Sequence, residues 1–384
     1  MSSLVLSLER NETENSERHA GETEYAIGNT DPFLNGEAAT CIDPLSDARW
    51  QRFVELHPRS SVFHSTPWLD ALRRTYGYQP IAYTTSRVDE PLGNAIVFCR
   101  IKSPLTGCRL VSLPFSDHCE PLVCNTNELE MFSQILHEES ARVRYVEVRP
   151  IANLRIRSPL QCRSTDYSFH ELDLEPSLAK LFSNFHKSSI QRKIQRAHRE
   201  GLTYRDGNSE ALLDEFYRLL TITRKRHKIP PPPRRWFLTL MKLFGNLLKI
   251  RVAFCGHKAI ASMITLRHRN TMVYKYGGSD VTCNQLGAMP MLYWNSIQDA
   301  KSEGLQFFDL GRTDLTQPGL ATFKSRFGAR QSVLRYSRFG ISNLSHVFDL
   351  PARKLKSSVA RSIISRLPDS ALCMAGRVLY RHIG

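Results

Sequence analysis

The apolar positions of this chain change period several times, and those changes mark out its elements. Leu69, Leu72 and Tyr76 recur at helical spacing after Thr66-Pro67, where Thr66 is a candidate N-cap and Pro67 suits the first helical position. An earlier helix is expected over 47–56, ending before Pro58. Strand-like runs follow at 81–85, 94–101 and 109–113, then a helix over 128–140 and the alternating Tyr145-Val146-Glu147-Val148-Arg149. A second round uses the same grammar. Helices are expected over 187–200, over 210–227 and after Pro230–Pro233, strands over 249–255, 259–267 and 271–276, a helix over 290–303 and a last strand over 306–310. The order helix, helix, antiparallel strands, helix, strand thus occurs twice, which points to structural duplication.

The flanks break the pattern. Residues 1–44 are acidic and lack apolar periodicity, as expected of a disordered leader. From Pro351 onward Leu355, Val359, Ile363 and Leu367 fall at helical spacing among seven Lys or Arg residues and the single acid Asp369. Such a basic amphipathic segment suits either an anionic membrane surface or packing on the body. The breaks divide the chain into a leader (1–44), an N-terminal lobe (45–178), a C-terminal lobe (179–345) and a helical tail (346–384).

Composition narrows the class. A length of 384 residues with 41% apolar content supports two domain cores. No apolar run reaches the ~18 residues that a membrane span needs, and the acidic start does not suit a signal peptide. The expectation is a soluble cytoplasmic protein, with peripheral contact at the inner membrane face through its tail. Nine scattered cysteines read as reduced core residues. Only His118-Cys119 with Cys124 approaches metal-ligand spacing and no second pair completes it, so no metal is expected. The net charge is +15, yet residues 1–47 hold ten acids and two bases, leaving the remainder at +23. A body so basic expects an anionic partner, whether a nucleotide, tRNA, coenzyme or lipid headgroup.

Four stretches carry candidate chemistry. Tyr274-Lys275-Tyr276-Gly277-Gly278 ends a strand, and Gln285-Leu286-Gly287-Ala288 precedes a helix. A strand, a glycine-bearing loop and a helix N-terminus together form an anion site, or merely a turn. Asp309 is expected at the end of a buried strand, followed by Gly311 and Arg312, where the carboxylate can orient or deprotonate an amine and the guanidinium can hold an anion. In Phe323-Lys324-Ser325-Arg326-Phe327-Gly328, Lys324 and Arg326 alternate with apolar neighbours as strand-borne charges do, anchored by two phenylalanines. The basic helix over 187–200 turns Ile190, Ile194 and Ala197 to one face and offers Arg192 and Arg196 for phosphate contact. Solvated faces explain such charges equally well. His118 beside Asp117 and Cys119 has no glycine-framed nucleophile elbow.

Taken in order, the basic helix from Lys187 to Gly201, Tyr274–Asp280, Phe308-Asp309-Leu310-Gly311-Arg312 and Phe323–Ala329 resemble the FemAB-like, GNAT-related acyltransferases. Phe63-His64-Ser65-Thr66-Pro67-Trp68 extends the likeness weakly into the first half. The resemblance implies an α/β (α+β) fold of two tandem GNAT-like lobes, each a mixed, mainly antiparallel sheet flanked by helices. It also implies transfer of an acyl or aminoacyl group to an amine, from acyl-CoA or aminoacyl-tRNA, with relatives tied to exopolysaccharide production. Lys324 matches the lysine of the family's Phe-Lys-x-x-Phe-Gly element, and Asp309 and Arg312 match its Asp-x-Gly-Arg pattern. Catalytic roles thus fall to Lys324, Asp309 and Tyr276, and donor or acceptor contacts to Arg192, Arg196, Tyr274, Gly277, Gly278, Gln285, Gly287, Arg312 and Arg326. Asn284–Ala288 matches the GNAT phosphate loop only in part. With no tRNA-binding hairpin insertion evident, the expected donor is acetyl-CoA or another acyl-CoA, aminoacyl-tRNA being the alternative. A non-catalytic basic protein of a polysaccharide-synthesis system is the rival from another class.

Overall fold

A computed structural model describes residues 39–151, 161–340, 364 and 366–383. Its elements in chain order are β1 (Thr40–Ile42), α1 (Arg49–Leu56), α2 (Thr66–Tyr76), β2 (Gln79–Thr84), β3 (Ile96–Ser103), β4 (Gly107–Val111), α3 (Thr126–Arg142), β5 (Val146–Val148) and β6 (Gln161–Asp173). There follow α4 (Leu178–Asn184), α5 (Arg192–Arg199), β7 (Thr203–Gly207), α6 (Glu210–Arg226), α7 (Arg234–Phe244), β8 (Leu248–Cys255), β9 (Lys258–His268) and β10 (Thr271–Ser279). The chain ends with α8 (Ala288–Ser302), β11 (Phe307–Asp314), α9 (Pro318–Ser325), β12 (Arg330–Gly340) and α10 (Asp369–Leu379).

The duplicated grammar reappears in the strand pairing. In the first half β2, β3 and β4 form an antiparallel meander, α3 crosses over, and β5 returns parallel to β4. In the second half β8, β9 and β10 form the meander, α8 crosses over, and β11 returns parallel to β10. The two sheets are one. Strand order is β1-β2-β3-β4-β5-β12-β6-β11-β10-β9-β8-β7, so β12, the last strand among the described residues, fills the gap between the halves. Upstream of the boundary expected at residue 178, β6 runs between β12 and β11, paired with both.

Helices join the halves as well. Trp68 on α2 meets Trp236 on α7 edge to face at 5.2 Å, and both are fully buried in a cluster drawing on the two halves. Burial of such large aromatic surfaces contributes about 2–3 kcal/mol each. The expected helix over 187–200 begins as one π-helical turn, Lys187–Gln191, before α5 continues it. Ile190, Ile194 and Ala197 do form its buried face.

The flanks need one correction. Thr40–Ile42, expected in a disordered leader, pair with β2 as an edge strand, because this short stretch can complete a neighbour's backbone hydrogen bonds. Leu355, Val359 and Ile363 of the proposed amphipathic tail lie outside the described residues, but α10 docks on the body. Leu372 is fully buried, Lys225 pairs with Asp369 at 2.9 Å, and Tyr78 donates its hydroxyl to the Tyr380 carbonyl at 2.6 Å. Among the described residues no helix is long and apolar enough to cross a membrane.

The seam between halves is pinned by a buried carboxylate. Glu147 on β5 faces Arg338 on β12, bonds to its guanidinium and takes Arg149 at 2.6 Å. Burial alone would raise this carboxyl's pKa, but the two guanidiniums outweigh it and hold it at about 2. A depressed carboxylate pKa stabilises the fold above the unfolded value of 4.5 and loses that contribution as pH falls toward 2. Glu147→Gln should therefore flatten the decline of the unfolding free energy between those pH values in urea titrations. Glu147→Ala, which leaves two cations unpaired at the seam, should cost about 3–5 kcal/mol at neutral pH.

Candidate active site

The site begins with a strained loop of the first half. Leu113 (φ 51°) and Phe115 (φ 62°) both occupy the left-handed region without being glycine, a conformation that persists only where surrounding contacts over-determine it. Those contacts are present. Arg149 donates to the carbonyls of Leu113 (2.9 Å) and Ser116 (3.3 Å), and the Tyr336 hydroxyl on β12 donates to the Asp117 carbonyl. Held this way, the loop presents Asp117 and His118 to the second half.

There, β10 and β11 pair only from Thr271 to Val273 and from Phe307 to Asp309, after which they part. Both strands bulge beside the opening, β10 at Lys275 and β11 between Asp309 and Arg312. A bulge bends its strand and re-aims a side chain. Gly311 sits in the second bulge at φ 73°, and a Cβ there would lie 3.0 Å from an Asp117 carboxylate oxygen. Only glycine lets the loop and the strand come this close.

The side chains interlock across the gap. Asp309 accepts the Gly311 backbone N–H at 2.6 Å with one oxygen and the His118 Nε2–H at 2.8 Å with the other. Asp117 accepts the Lys275 ammonium at 2.9 Å and lies 3.8 Å from Arg312 Nε. The Lys275 ammonium also lies over the Phe63, Trp68 and Tyr276 rings at 5.3, 5.9 and 5.4 Å. Lys324 donates to the Gly311 and Arg312 carbonyls at 2.8 and 3.1 Å, which fixes the bulge from below. The Arg312 guanidinium, the most exposed member, stacks on Tyr167 at 4.3 Å. His118 Nδ1 is buried without a partner, as is Nδ1 of His170.

Burial sets the electrostatics. It lowers the Lys324 ammonium to about 8 despite Asp117 and Asp309, and it lowers Lys275 against the opposing pull of Asp117. Burial would raise Asp117, but Lys275 and Arg312 outweigh it and hold the carboxyl below its ordinary value. Burial would lower His118 too, yet the Asp309 hydrogen bond and charge raise it above the ordinary imidazole value.

Two expectations are corrected. Phe323–Ser325 belong to a helix, α9, not to a strand. Pro318 stands in its first turn, and Phe323 and Phe327 reach the same Tyr293 ring at 5.5 and 5.1 Å because they are four residues apart. Asp309 lies within β11 rather than at its end, since the bulge lets the strand continue.

The remaining predicted residues scatter. The Tyr276 hydroxyl accepts from Trp236 Nε1 at 2.9 Å, and burial raises its pKa. Tyr274 is half-buried beside Tyr293, and a Cβ on Gly277 would meet its hydroxyl at 2.5 Å. Gly278 is pressed against the backbone of α6. Arg192, Arg196, Gln285 and Arg326 are exposed and stand apart from the cluster, with Arg196 paired to Glu200 at 3.2 Å. Gly287 (φ 81°) leads into α8, and its absent Cβ would lie 2.1 Å from the Lys193 carbonyl oxygen. So α5 covers the turn where a phosphate cradle was expected, and Pro290 removes one donor from the first turn of α8.

Residues 184–325 match the acetyltransferase (GNAT) domain family. A 152-residue stretch, 39% of this chain, is 30% identical to a UDP-N-acetylmuramoylpentapeptide-lysine N(6)-alanyltransferase of Weissella viridescens, whose length it spans to 45%. Among solved structures, FemX superposes with a TM-score of 0.59 at 12% identity over 82% of this chain and 99% of its own. Over residues 184–325 the chain is thus similar to the acetyltransferase (GNAT) domain family, and as a whole it shares the fold of FemX. The C-terminal domain of a putative lysylphosphatidylglycerol synthetase from Agrobacterium fabrum shares the fold, with a TM-score of 0.50 and 12% identity over 80% of this chain and 94% of that one.

The matched domain leaves out Asp117 and His118, which reach the cluster only through the tertiary fold. Sequence reasoning set that pair aside for want of an elbow, and it passed over Lys275 inside a motif chosen for its glycines. The available signal was an Asp-His pair with Glu120 in an otherwise apolar stretch.

The imidazole supplies a direct check. His118 should titrate above the ordinary value of 6.5 in long-range 15N NMR spectra, and in Asp309→Asn it should fall below that value, because burial then prevails.

Proposed function

We propose that this protein transfers an acyl group to an amine at the cluster between β10 and β11. The observation that carries the reading is charge balance. Lys275, Arg312 and Lys324 converge on two carboxylates, Asp117 and Asp309, which leaves a net positive charge in a largely buried setting. A site of that kind favours negative charge that develops on a carbonyl oxygen in the transition state. In the proposed reaction the amine nitrogen attacks the carbonyl carbon, an amide C–N bond forms, and the bond to the donor oxygen or sulfur breaks. The amine's proton passes to the Asp309–His118 pair or to water, and Lys324 keeps the Gly311 bulge in shape while its remaining N–H faces the developing charge.

An aminoacyl ester borne on tRNA is the better-supported donor, since α5 covers the Gly287 turn and carries the exposed Arg192, Lys193 and Arg196. Similarity to an alanyltransferase accords with it. Acyl-CoA is the second reading, favoured by the match to the acetyltransferase (GNAT) domain family. For the acceptor we propose an amine on a cell-envelope or exopolysaccharide precursor, met on the cytoplasmic side of the membrane.

Calorimetric titration with acetyl-CoA, longer acyl-CoAs and charged tRNA separates the donors, and tRNA is expected to bind in the low micromolar range or tighter. With the donor found, Lys324→Met and Asp309→Asn should each lower turnover by roughly 100-fold while leaving donor affinity nearly unchanged. Wild-type turnover in both variants would show that the reaction takes place elsewhere.

A further inference from the structure

The tail carries a surface that the transfer cluster does not use. Helix α10 docks through one face, and two contacts set which face that is. Leu372 is fully buried, and Gly376 is pressed so closely on the body that a Cβ there would lie 2.1 Å from the Pro231 carbonyl oxygen. A glycine inside a helix costs stability, so its use here marks an orientation that depends on close backbone approach. The opposite face is thereby fixed outward. It holds Met374 and Val378, one helical turn apart and 68% and 54% exposed, with the exposed Arg377 beside them and Arg381 in the turn that follows. Solvent-facing helix positions ordinarily carry polar residues. Leu105, 67% exposed, stands near the far end of the helix, because its neighbours Ser103 and Thr106 each meet His382 at 3.0 Å.

Cations flank these apolar side chains at both ends of α10. At its start, Asp369 shares a cavity with Lys225, Arg226 and Lys228 from the end of α6. Asp369 pairs with Lys225 at 2.9 Å, and Arg226 and Lys228 stay exposed. Lys228 occupies the left-handed position after the helix, at φ 58°, where glycine is favoured, so backbone preference does not explain the lysine. Past the other end, Arg381 and Lys102 line the cavity at the end of α2, whose walls hold no acidic residue. Among the described residues none of Arg226, Lys228, Arg377, Arg381 and Lys102 has an acidic partner.

We infer that α10 and the cations around it form a docking surface for an anionic lipid bilayer. Aliphatic side chains enter the acyl boundary while the cations meet lipid phosphates, and the two contributions add. An RNA would meet the cations but leave Met374, Val378 and Leu105 in water, and no exposed Phe, Tyr or Trp stands among them for a base to stack on. The inference stands apart from the transfer reading, since it concerns other residues and is read by binding alone.

Flotation of the full chain with vesicles tests it. The protein should float with vesicles of equal parts phosphatidylglycerol and phosphatidylcholine, and far less with phosphatidylcholine alone. Met374→Ser/Val378→Ser, which leaves the net charge unchanged, should lower the ratio of bound to free protein by about tenfold or more, and Lys228→Gln/Arg377→Gln should lower it by about tenfold as well. Val88→Ser/Val333→Ser, a control at exposed apolar positions outside the tail, should change it less than about twofold. All six side chains are exposed, so the thermal midpoints of the three variants should match the wild type. If the anionic vesicles are not bound, or if Met374→Ser/Val378→Ser floats as the wild type does, the inference is overturned. An RNA duplex bound through Lys228 and Arg377 without vesicle binding would assign the surface to nucleic acid, and a dimer in sedimentation that Met374→Ser/Val378→Ser dissolves, again without vesicle binding, would assign it to a second copy of this chain; either result overturns it too.

Discussion

Glu147 is the residue on which the rest of this architecture depends. Its carboxylate bonds to Arg338 on the strand that closes the sheet and to Arg149 on its own strand. Arg149 in turn holds the Leu113–Ser116 turn by two carbonyls and stacks on Tyr336. One buried anion therefore fixes both the seam between halves and the loop that crosses it. Replacing the trio with apolar residues could keep the sheet, since buried ion pairs gain little net stability over good packing. It could not keep Asp117 and His118 where they are, because the strained backbone at Leu113 and Phe115 has no intrinsic reason to hold its shape. Here the ion pairs contribute specificity of placement more than stability.

That placement explains how a cluster with three cations can exist inside a protein. Lys275, Arg312 and Lys324 all come from the second half, and without Asp117 they would face only Asp309. Desolvation would then drive the lysines toward their neutral forms. The loop from the first half supplies the second carboxylate, and Gly311 leaves room for it. The two halves are thus joined by their chemistry as well as by a shared sheet and core.

Much of the fold was legible because periodicity reports burial, and burial repeats faithfully between the two meanders. Asp309, Gly311 and Arg312 were legible for a related reason, since polar residues in an apolar strand demand partners. Pairing across the halves was not legible. Nothing in the local pattern around Asp117 says that His118 will meet Asp309, 191 residues away. The helix over Phe323–Ser325 was missed because its alternation of charge and aromatic fits a strand as well as one face of a helix, and a window of six residues cannot separate periods of 2 and 3.6. Gly287 misled for the opposite reason: glycine before a helix signals close approach, but sequence does not say whether a phosphate or a neighbouring backbone approaches. The Lys193 carbonyl is what arrives.

A large positive charge in a sequence says little until burial divides it. Some of the excess is spent on surface pairs such as Arg335–Asp166 and Arg234–Asp214, which contribute at most about 1 kcal/mol each. Some is buried and nearly balanced in the transfer cluster, where a lysine is pulled down to about 8. The cavity at the end of α2 belongs to neither group, because among the described residues Lys102, Arg235 and Arg381 in its walls have no acidic partner. Selection for solubility alone would scatter such charges over the surface. Arg381 reaches this cavity only because the tail folds back across the first half and is fastened at His382, so the gathering of charge is a property of the tertiary fold and not of any one segment.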